Sequence, residues 1–327
     1  MVKIPLKVES KKSVFDGKTL IESVNINILN KLIMSRDEDG LLKSYDKITH
    51  NDIYQNEFVK KTYCTERQQL IEYAKNIKLG KIFVRYDKTK NLNNYGRVIP
   101  FRSLGLFSFR KQIRGALAFG LYVDIDISNC HPTLLLQIAQ HNNIECKYLS
   151  KYVNNREKYI NLVMDTYKCS KDDAKTLFII LLYFGSFNKW AENLNIKDDE
   201  IKFIHKLKKE LKEIGKILVD NNKNLINLLQ NKRLNDKSNK KNIVGGIVSY
   251  ILQEWECQII ETLYNYCSDN QIINHDCVLC ADGIMIKANK YNDELLIKFN
   301  ELIKEKLGFD LTFIKKELNT EIYDKLK

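Results

Sequence analysis

The sequence predicts an α+β protein that is mostly helical, with short strands that lie far apart along the chain. Its 327 residues, 44% of them hydrophobic, are enough for one large or two ordinary domains with a sizeable core. Helical periodicity recurs between residues 106 and 307, whereas short apolar or alternating runs at 81–86, 121–127 and 277–288 indicate strands. No internal repeat or low-complexity linker marks a domain boundary.

In the first third of the chain we expect mainly helix and loop before the first strand. Residues 1–80 are polar and are predicted to be mostly helical, with a charged loop at 35–47. The stretch "KIFVRY" at 81–86 is the first clear strand, and turn-forming residues follow it. Residues 106–119 then predict a helix that carries Arg110 and Arg114 four positions apart on one face.

The remainder of the chain alternates helices with short strand regions. A strand at 121–127 is followed by a helix that begins after His131. The later elements are expected in this order: helices at 155–166, 170–185 and 197–220, a basic loop at 230–242, a long helix at 245–268, a hairpin at 277–288, a helix at 293–307 and a strand near 311–318.

Charge and composition narrow the classes of partner and compartment. The net charge of +12 and the isoelectric point near 9.1 favour a polyanionic partner, although an AT-rich genome also enriches lysine and asparagine. The sequence has neither a run of about 18 apolar residues nor a signal peptide, so we expect a soluble, intracellular protein without a membrane span. The eight scattered cysteines are predicted to be reduced thiols, and the pair Cys277 and Cys280 lacks the second pair of a typical zinc site.

Two aspartates stand two residues apart on the predicted strand at 121–127. Side chains alternate across a strand, so Asp124 and Asp126 share one face. The flanking segments are hydrophobic enough to bury this strand, and a buried carboxylate is costly unless it is paired or bound to a cation. We therefore expect a divalent metal as the partner. The alternative is a solvent-facing surface on which the aspartates pair with lysines.

A further candidate carboxylate lies in the predicted hairpin "CVLCADGIMIKA". Asp282 occupies the turn, and Gly283 can supply the positive φ of a tight hairpin. An aspartate in a turn is also common for structural reasons alone. Magnesium asks a protein for only one or two carboxylates, so Asp126 and Asp282 together suit two-metal phosphoryl or nucleotidyl transfer.

The residues around these two aspartates resemble two motifs of the family A DNA polymerases. Residues 126–131, Asp-Ile-Ser-Asn-Cys-His, are similar to motif A of that family, Asp-Tyr-Ser-Gln-Ile-Glu. This register selects Asp126 over Asp124 as the metal ligand and puts His131 in place of the glutamate. Asp282 matches the aspartate of motif C, with alanine in place of the histidine that precedes it.

A helix further along the chain resembles motif B, which runs Arg-x3-Lys-x7-Tyr-Gly on the fingers helix of these polymerases. Lys171, Lys175 and Tyr183 follow this pattern and, together with Ile179, lie on one predicted helical face. The departures are lysine for arginine at 171, Ile179 for an aromatic residue, and an extra residue before Gly185. Without the resemblance, the same helix would be interpreted as part of the core.

The stretch "NNYGRVIP" resembles the Asp-x-x-Gly-Arg-Val element of phage single-subunit RNA polymerases, with Asn93 replacing the aspartate and Arg97 retained. The motifs occur in the order Arg97, Asp126, Lys175, Asp282. This order makes the chain similar to the transpoviron-type polymerases of giant viruses and mobile elements, a branch related to family A DNA polymerases and to phage single-subunit RNA polymerases. In that branch the polymerase module is often joined to a superfamily 3 helicase, and none is visible in this sequence.

The resemblance implies a right-hand polymerase core with a small antiparallel palm sheet. It divides the chain into four segments: a thumb-like N-terminal helical region at 1–90, the first half of the palm at 91–165, a fingers-like helical region at 166–244 and the second half of the palm at 245–327. Asp126 and Asp282 would hold two Mg²⁺ ions, or Mn²⁺, with Asp124 as an outer carboxylate.

The resemblance also implies roles in binding the nucleotide and the nucleic acid. Lys175, helped by Lys171, would neutralise the triphosphate, while Tyr183 would stack near the templating step. His131 stands where family A DNA polymerases crowd the ribose 2′-hydroxyl, so it either takes part in sugar selection or is a structural residue beside Pro132. The arginines expected to contact nucleic acid are Arg97, Arg110 and Arg114.

From these expectations the chain is predicted to be a template-directed nucleotidyltransferase, a DNA polymerase or primase-polymerase, in viral or mobile-element replication. Its partners would be a DNA or RNA template-primer, dNTPs or rNTPs and a superfamily 3 helicase, in the host cytoplasm or at a viral replication site.

Two alternatives to this function stay open. One is a non-catalytic nucleic-acid-binding replication module that uses the basic stretches at 206–241. The other is a two-metal nuclease, which would leave the helix with Lys175 and Tyr183 without a role.

Overall fold

The computed structural model describes residues 2–50, 61–88, 94–235 and 242–327. Within them the chain is an α+β protein, mostly helical with small antiparallel sheets, which confirms the predicted fold class.

The strands are β1 (Thr19–Ser23), β2 (Ser44–His50), β3 (Lys61–Thr65), β4 (Lys81–Lys88), β5 (Val98–Pro100), β6 (Tyr122–Ile127), β7 (Val278–Cys280), β8 (Gly283–Lys287) and β9 (Phe313–Lys316). The helices are α1 (Ile26–Met34), α2 (Glu66–Ala74), α3 (Lys111–Ala118), α4 (Cys130–His141), α5 (Lys147–Asn154), α6 (Arg156–Tyr167), α7 (Lys171–Leu182), α8 (Phe187–Asn193), α9 (Lys202–Asn221), α10 (Lys223–Asn235), α11 (Ile243–Asp269), α12 (Glu294–Leu307) and α13 (Glu321–Leu326).

The chain divides into two compact units that are each discontinuous in sequence. The helical unit consists of Met1–Glu9, Asn129–Trp255 and Glu305–Phe309. The sheet unit consists of Ser10–Ser128, Glu256–Lys304 and Asp310–Lys327. The four-segment division implied by the resemblance stays a prediction.

A four-stranded antiparallel sheet, in the order β7-β8-β6-β9, belongs to the sheet unit. β6 is an inner strand that pairs with β8 on one side and with β9 on the other, although both partners come much later in the sequence. The apolar residues Tyr122, Ile125 and Ile127 of this strand are buried, and so are its two aspartates. Because both edges of β6 are hydrogen-bonded, the register determines which side chains of the neighbouring strands lie beside Asp124 and Asp126.

The prediction that residues 1–80 are mostly helical is wrong. Besides α1 and α2, this region contributes β1, β2 and β3. β1 pairs with β4, which places Leu20 opposite Val84, and both side chains are buried. The five residues of β1 alternate between buried and more exposed positions, and so short an alternation does not stand out against the polar residues around it.

The helical unit contains the predicted helices, and also α5 and α8, which were not predicted. The predicted basic loop at 230–242 is in part a helix, because residues up to Asn235 belong to α10. Leu225 and Leu229 lie four positions apart on this helix and are buried, so its apolar pair rather than its charge determines the structure. Residues 236–241, which carry the rest of that prediction, lie outside the described residues.

No helix in the described ranges is long and apolar enough to cross a membrane.

All eight cysteines are free thiols. Burial raises the pKa of Cys277 and of Cys280 well above the usual value for a thiol, so both stay protonated at neutral pH. Both residues lie in the core of the sheet unit, where they act as small apolar side chains.

Candidate functional site

Three carboxylates come together on the four-stranded sheet of the sheet unit. Asp124 and Asp126 on β6 are only 6% and 8% exposed, as their predicted position on a buried strand requires. In the register of β6 with β8, Asp126 stands opposite Gly283, which directly follows Asp282 in the hairpin turn. The backbone N–H of Ile127 donates a hydrogen bond to the carbonyl oxygen of Asp282 at 3.2 Å. This bond holds the turn residue beside the end of β6.

The turn between β7 and β8 corrects one detail of the sequence prediction. The positive φ of this turn belongs to Ala281, at 53°, and not to Gly283. Gly283 is required for another reason. A Cβ atom at this position would lie 2.5 Å from the carbonyl oxygen of Ile125 and 3.2 Å from Oδ1 of Asp126. The glycine therefore lets the hairpin approach β6 closely enough to bring Asp282 to Asp126.

We expect Gly283→Ala to destabilise the protein by about 1–3 kcal/mol, because the added methyl group meets the backbone of β6 and forces the two strands apart. The midpoint of urea unfolding measures this loss. Ala281→Gly is the matched control in the same turn. It removes a side chain from a residue with positive φ and should leave the stability unchanged or slightly higher. Equal stability of the two variants would contradict the close-approach role of Gly283.

Burial and the charge of Asp126 raise the pKa of both Asp124 and Asp282. Burial, followed by the charge of Asp126, raises the pKa of Asp124 to about 6. Burial likewise raises the pKa of Asp282 to about 7, with further contributions from the charges of Asp126 and Glu256. The charged forms of Asp124 and Asp282 are thus disfavoured first by burial and then by the charge of Asp126. A divalent cation would relieve this repulsion, because a cluster of carboxylate oxygens is the ligand set that hard cations prefer.

Lys316 on β9 is part of this cluster and was missed by the sequence analysis. Its ammonium group forms an ion pair and hydrogen bond with Oδ2 of Asp126, and β9 places it opposite Asp124. Burial alone would lower the pKa of Lys316, but the bond to Asp126 and the charges of the aspartates outweigh that effect and raise it. Lys316 therefore supplies the positive charge among the carboxylates when no metal ion is bound. The only signal in the sequence was a lysine in a predicted strand, which is far too common to be diagnostic.

Replacing Lys316 with methionine should lower the stability of the metal-free protein by about 1 kcal/mol, a value kept small because the ammonium is half exposed. The same change should increase the stabilisation that Mg²⁺ provides, because the ion no longer competes with an internal ammonium. Thermal unfolding with and without Mg²⁺ measures both effects. Lys315→Met, one position away on the same strand, should behave like the unaltered protein. If Mg²⁺ stabilised Lys316→Met no more than it stabilised the unaltered protein, this competition would be ruled out.

Arg97, expected to contact nucleic acid, is bound within the protein. Its guanidinium group donates hydrogen bonds of 2.8 and 3.1 Å to the two carboxylate oxygens of Glu256, a residue on α11 that is 1% exposed. Glu256 also contributes to the raised pKa of Asp282, so the arginine neutralises one of the carboxylates near the cluster. Asn93, which stands where the similar element of phage single-subunit RNA polymerases has an aspartate, lies outside the described residues.

The two arginines predicted on one helical face have different surroundings. The predicted helix begins only at Lys111, so Arg110 precedes it and does not share its face. Arg110 binds the carboxylate of Glu66 at 2.6 Å and the carbonyl oxygen of Leu41 at 2.5 Å, which ties three segments of the sheet unit together. Arg114 lies within α3, and its charge partly offsets the rise in the pKa of Asp124. A nucleic-acid contact of either arginine stays a prediction.

Within the helical unit, α7 presents the residues that resemble motif B on an accessible face. Lys171 pairs with Glu157 at 2.6 Å and Lys175 pairs with Asp172 at 3.2 Å, both near the surface. Ile179 is 43% exposed, although it is apolar. The buried side of α7 is formed by other residues: Ala174, Leu177, Phe178, Leu181 and Leu182. The helix therefore belongs to the core on its other side, whereas the face with the residues that resemble motif B is accessible.

Tyr183 at the end of α7 interacts with the residue that replaces the motif A glutamate. Its hydroxyl group forms a hydrogen bond with Nδ1 of His131, a residue that is almost fully buried. The two rings meet edge to face, with centroids 5.9 Å apart. The side chain of Asn242 donates a hydrogen bond of 2.6 Å to the carbonyl oxygen of Tyr183. The orientation of Tyr183 is thus held at both ends, and His131 has a structural function whether or not it also selects the sugar.

Comparison with known proteins gives one clear relative. No protein-family model matches the chain. Over 307 residues it is 29% identical to "Putative helicase V13" of Sputnik virophage, an alignment that covers 93% of this chain and 37% of the relative. The chain is thus related in sequence to a virophage protein and spans little more than a third of that protein's length.

Among solved structures, the chain is similar to the POL domain of Pol1 from M. smegmatis, determined in complex with a DNA primer-template and dNTP. The similarity has a TM-score of 0.46 at 11% sequence identity and covers 77% of this chain and 51% of that one. A similarity of this size does not carry an activity from one protein to the other.

Proposed function

We propose that the protein is a template-directed nucleotidyltransferase, a DNA polymerase or primase-polymerase that acts in viral or mobile-element replication. The observation that carries the proposal is the convergence of Asp124, Asp126 and Asp282 on one sheet, although the last of them comes more than 150 residues after the others. The sequence relationship to a virophage protein supports a role in a viral replication site or in the host cytoplasm.

The carboxylate cluster fits a pair of Mg²⁺ or Mn²⁺ ions. All its donor atoms are carboxylate oxygens. The pKa values of Asp124 and Asp282 are raised by burial and then by the charge of Asp126, and a bound cation would counter both effects. Asp126 and Asp282 would hold the ions, with Asp124 as an outer carboxylate. When bound, such ions favour the ionised primer 3′-hydroxyl and stabilise the pyrophosphate leaving group.

The remaining roles follow the motifs and are part of the same proposal. Lys171 and Lys175 have ion-pair partners that are themselves exposed, so a triphosphate can replace Glu157 and Asp172 at little cost. Tyr183, held in place by its hydrogen bonds, would stack near the templating base.

We further propose a helicase as a functional partner. The virophage relative is named a helicase and is much longer than this chain, so a helicase activity there can reside outside the matched part.

Within this chain, "DGKT" at 16–19 resembles the end of an ATP-binding P-loop, but Lys12 occupies the place of its first glycine. In the structure, this stretch leads into β1 instead of the start of a helix, which a P-loop requires.

Primer extension tests the proposal. A labelled primer on a template is incubated with the protein and Mg²⁺ or Mn²⁺, with dNTPs and rNTPs offered separately, and Asp126→Asn purified in parallel is the control. Extension by the unaltered protein alone would support the proposal, and the preferred nucleotide would show which sugar it accepts. Binding of primed template without extension would favour a non-catalytic module. Shortening of the primer without added nucleotide would favour a nuclease.

A further inference from the structure

We propose that the exposed face of α9, together with a groove beside Phe184, binds single-stranded nucleic acid. Five exposed lysines, which we call the lysine track, lie on this face: Lys202, Lys206, Lys209, Lys212 and Lys216. At 100° per residue they fall within a sector of about 120°, opposite the buried residues of the helix. The track is about 21 Å long, which is the length of about six stacked nucleotides.

The protein does not neutralise the lysine track itself. Among the described residues, none of its five ammonium groups has a carboxylate within ion-pair distance, whereas Lys208 at the edge of the same helix binds Glu200 at 2.7 Å. Two exposed carboxylates of the helix, Glu213 and Asp220, lie within the sector. Such a row of unpaired ammonium groups gains free energy by replacing the condensed counterions of a phosphate backbone.

A groove of about 340 Å³ opens along the C-terminal half of the lysine track. Phe184, Val219 and Val244 provide its apolar lining, and Lys212, Lys216 and Asp220 its charged lining. An apolar groove with an aromatic ring, flanked by two ammonium groups, suits one nucleobase with its neighbouring phosphates. The lysines alone would hold a phosphate backbone, and the groove adds a place for a base.

The position of Phe184 in the groove depends on an unusual backbone conformation. Its φ of 59° lies in the left-handed region, which is rare for a bulky residue. The ring packs against Gly215 of α9, where any side chain would collide with it. The conformation is thus maintained by the packing of α9, and strained residues of this kind are concentrated at functional sites.

These features favour an unpaired strand over a duplex. In a duplex the bases are stacked and paired, so the lysines would contact phosphates while the groove stayed unused. An unpaired strand can place a base against Phe184 and still lay its phosphates along the lysine track. The inference does not depend on the proposed nucleotidyl transfer, because equilibrium binding tests it without any reaction.

Fluorescence anisotropy with a labelled oligothymidylate, measured over a range of salt concentrations, tests the lysine track. The triple variant K209Q/K212Q/K216Q should bind at least tenfold more weakly at low salt, and its salt dependence should be shallower by about two in log–log slope. The control K298Q/K304Q/K306Q removes the same charge from exposed positions of α12 and should bind like the unaltered protein. Equal losses in both triple variants would overturn the assignment, because net charge alone would then explain the binding.

Two variants test the groove. Phe184→Leu keeps an apolar side chain over Gly215 but removes the aromatic ring, and should weaken binding of the oligothymidylate about tenfold. Val244→Glu adds a negative charge at an exposed position of the groove and should weaken binding without loss of thermal stability. Binding of a matched duplex should be weaker than that of the single strand and insensitive to Phe184→Leu. Full binding by both groove variants, or equal binding of duplex and single strand, would overturn the proposal.

Discussion

Replacing Asp126 with asparagine is expected to lower the rate of nucleotide addition about 1,000-fold, and Asp282→Asn should have an effect of the same size. On the proposed function, each change would remove a charged ligand of the metal ions, and metal-ion stabilisation of a transition state amounts to about 4 kcal/mol. Asp124→Asn should cost only about tenfold, because the motif register gives it an outer position. Single-nucleotide incorporation under single-turnover conditions measures all three rates.

The fold provides the control for these variants. Asparagine has the size of aspartate, and removing one carboxylate from Asp282 relieves repulsion within the cluster, so the metal-free Asp282→Asn protein should unfold at the same temperature as the unaltered protein or higher. A loss of activity in a variant that is still folded would therefore result from a slower nucleotide-addition step. If Asp124→Asn were as inactive as Asp126→Asn, the assignment of Asp126 as the main ligand would be wrong.

The unfolding free energy is expected to fall by about 3 kcal/mol between pH 4.5 and pH 7 because of one buried residue, Glu22 on β1. Its carboxylate is fully buried, where it accepts hydrogen bonds of 2.7 Å from the hydroxyl group of Tyr86 and from the backbone N–H of Leu106. Burial outweighs these hydrogen bonds and raises the pKa of Glu22 from 4.5 to about 7. The folded protein thus keeps a proton that the unfolded chain releases, so stability decreases as the pH rises through this interval and is level above it.

Glu22→Gln isolates this contribution. Glutamine does not ionise, so the difference in unfolding free energy between the variant and the unaltered protein should increase by about 3 kcal/mol from pH 4.5 to pH 8 in favour of the variant. Asp124 and Asp282 add pH dependence of the same sign to both proteins, which is why the difference is the quantity to compare. Glu301→Gln, which removes an exposed carboxylate of α12, should leave the pH curve unchanged. A constant difference for Glu22→Gln would show that Glu22 is ionised in the folded protein.

The sequence by itself determined the features that depend on local periodicity. The alternation of β6 is enough to place Asp124 and Asp126 on one face, and the apolar runs around "ADG" are enough to predict the hairpin with Asp282. The helical period likewise predicted α7 with Lys171 and Lys175 on one face. Each of these inferences uses residues close together in the chain, whose relative positions follow from backbone geometry alone.

Only the tertiary structure decided which distant residues surround those carboxylates. Lys316 reaches Asp126 across 190 positions of sequence, and Arg97 reaches Glu256 across 159. These pairs depend on the order and register of strands and on the packing of α11, and a shift of one residue in β9 would turn Lys316 to the other face of the sheet. The same holds for Gly283, whose place against the backbone of β6 no local pattern reveals. A periodic pattern in the sequence predicts whether a segment forms a helix or a strand. The residues that surround the segment are determined by contacts that form only when the chain has folded.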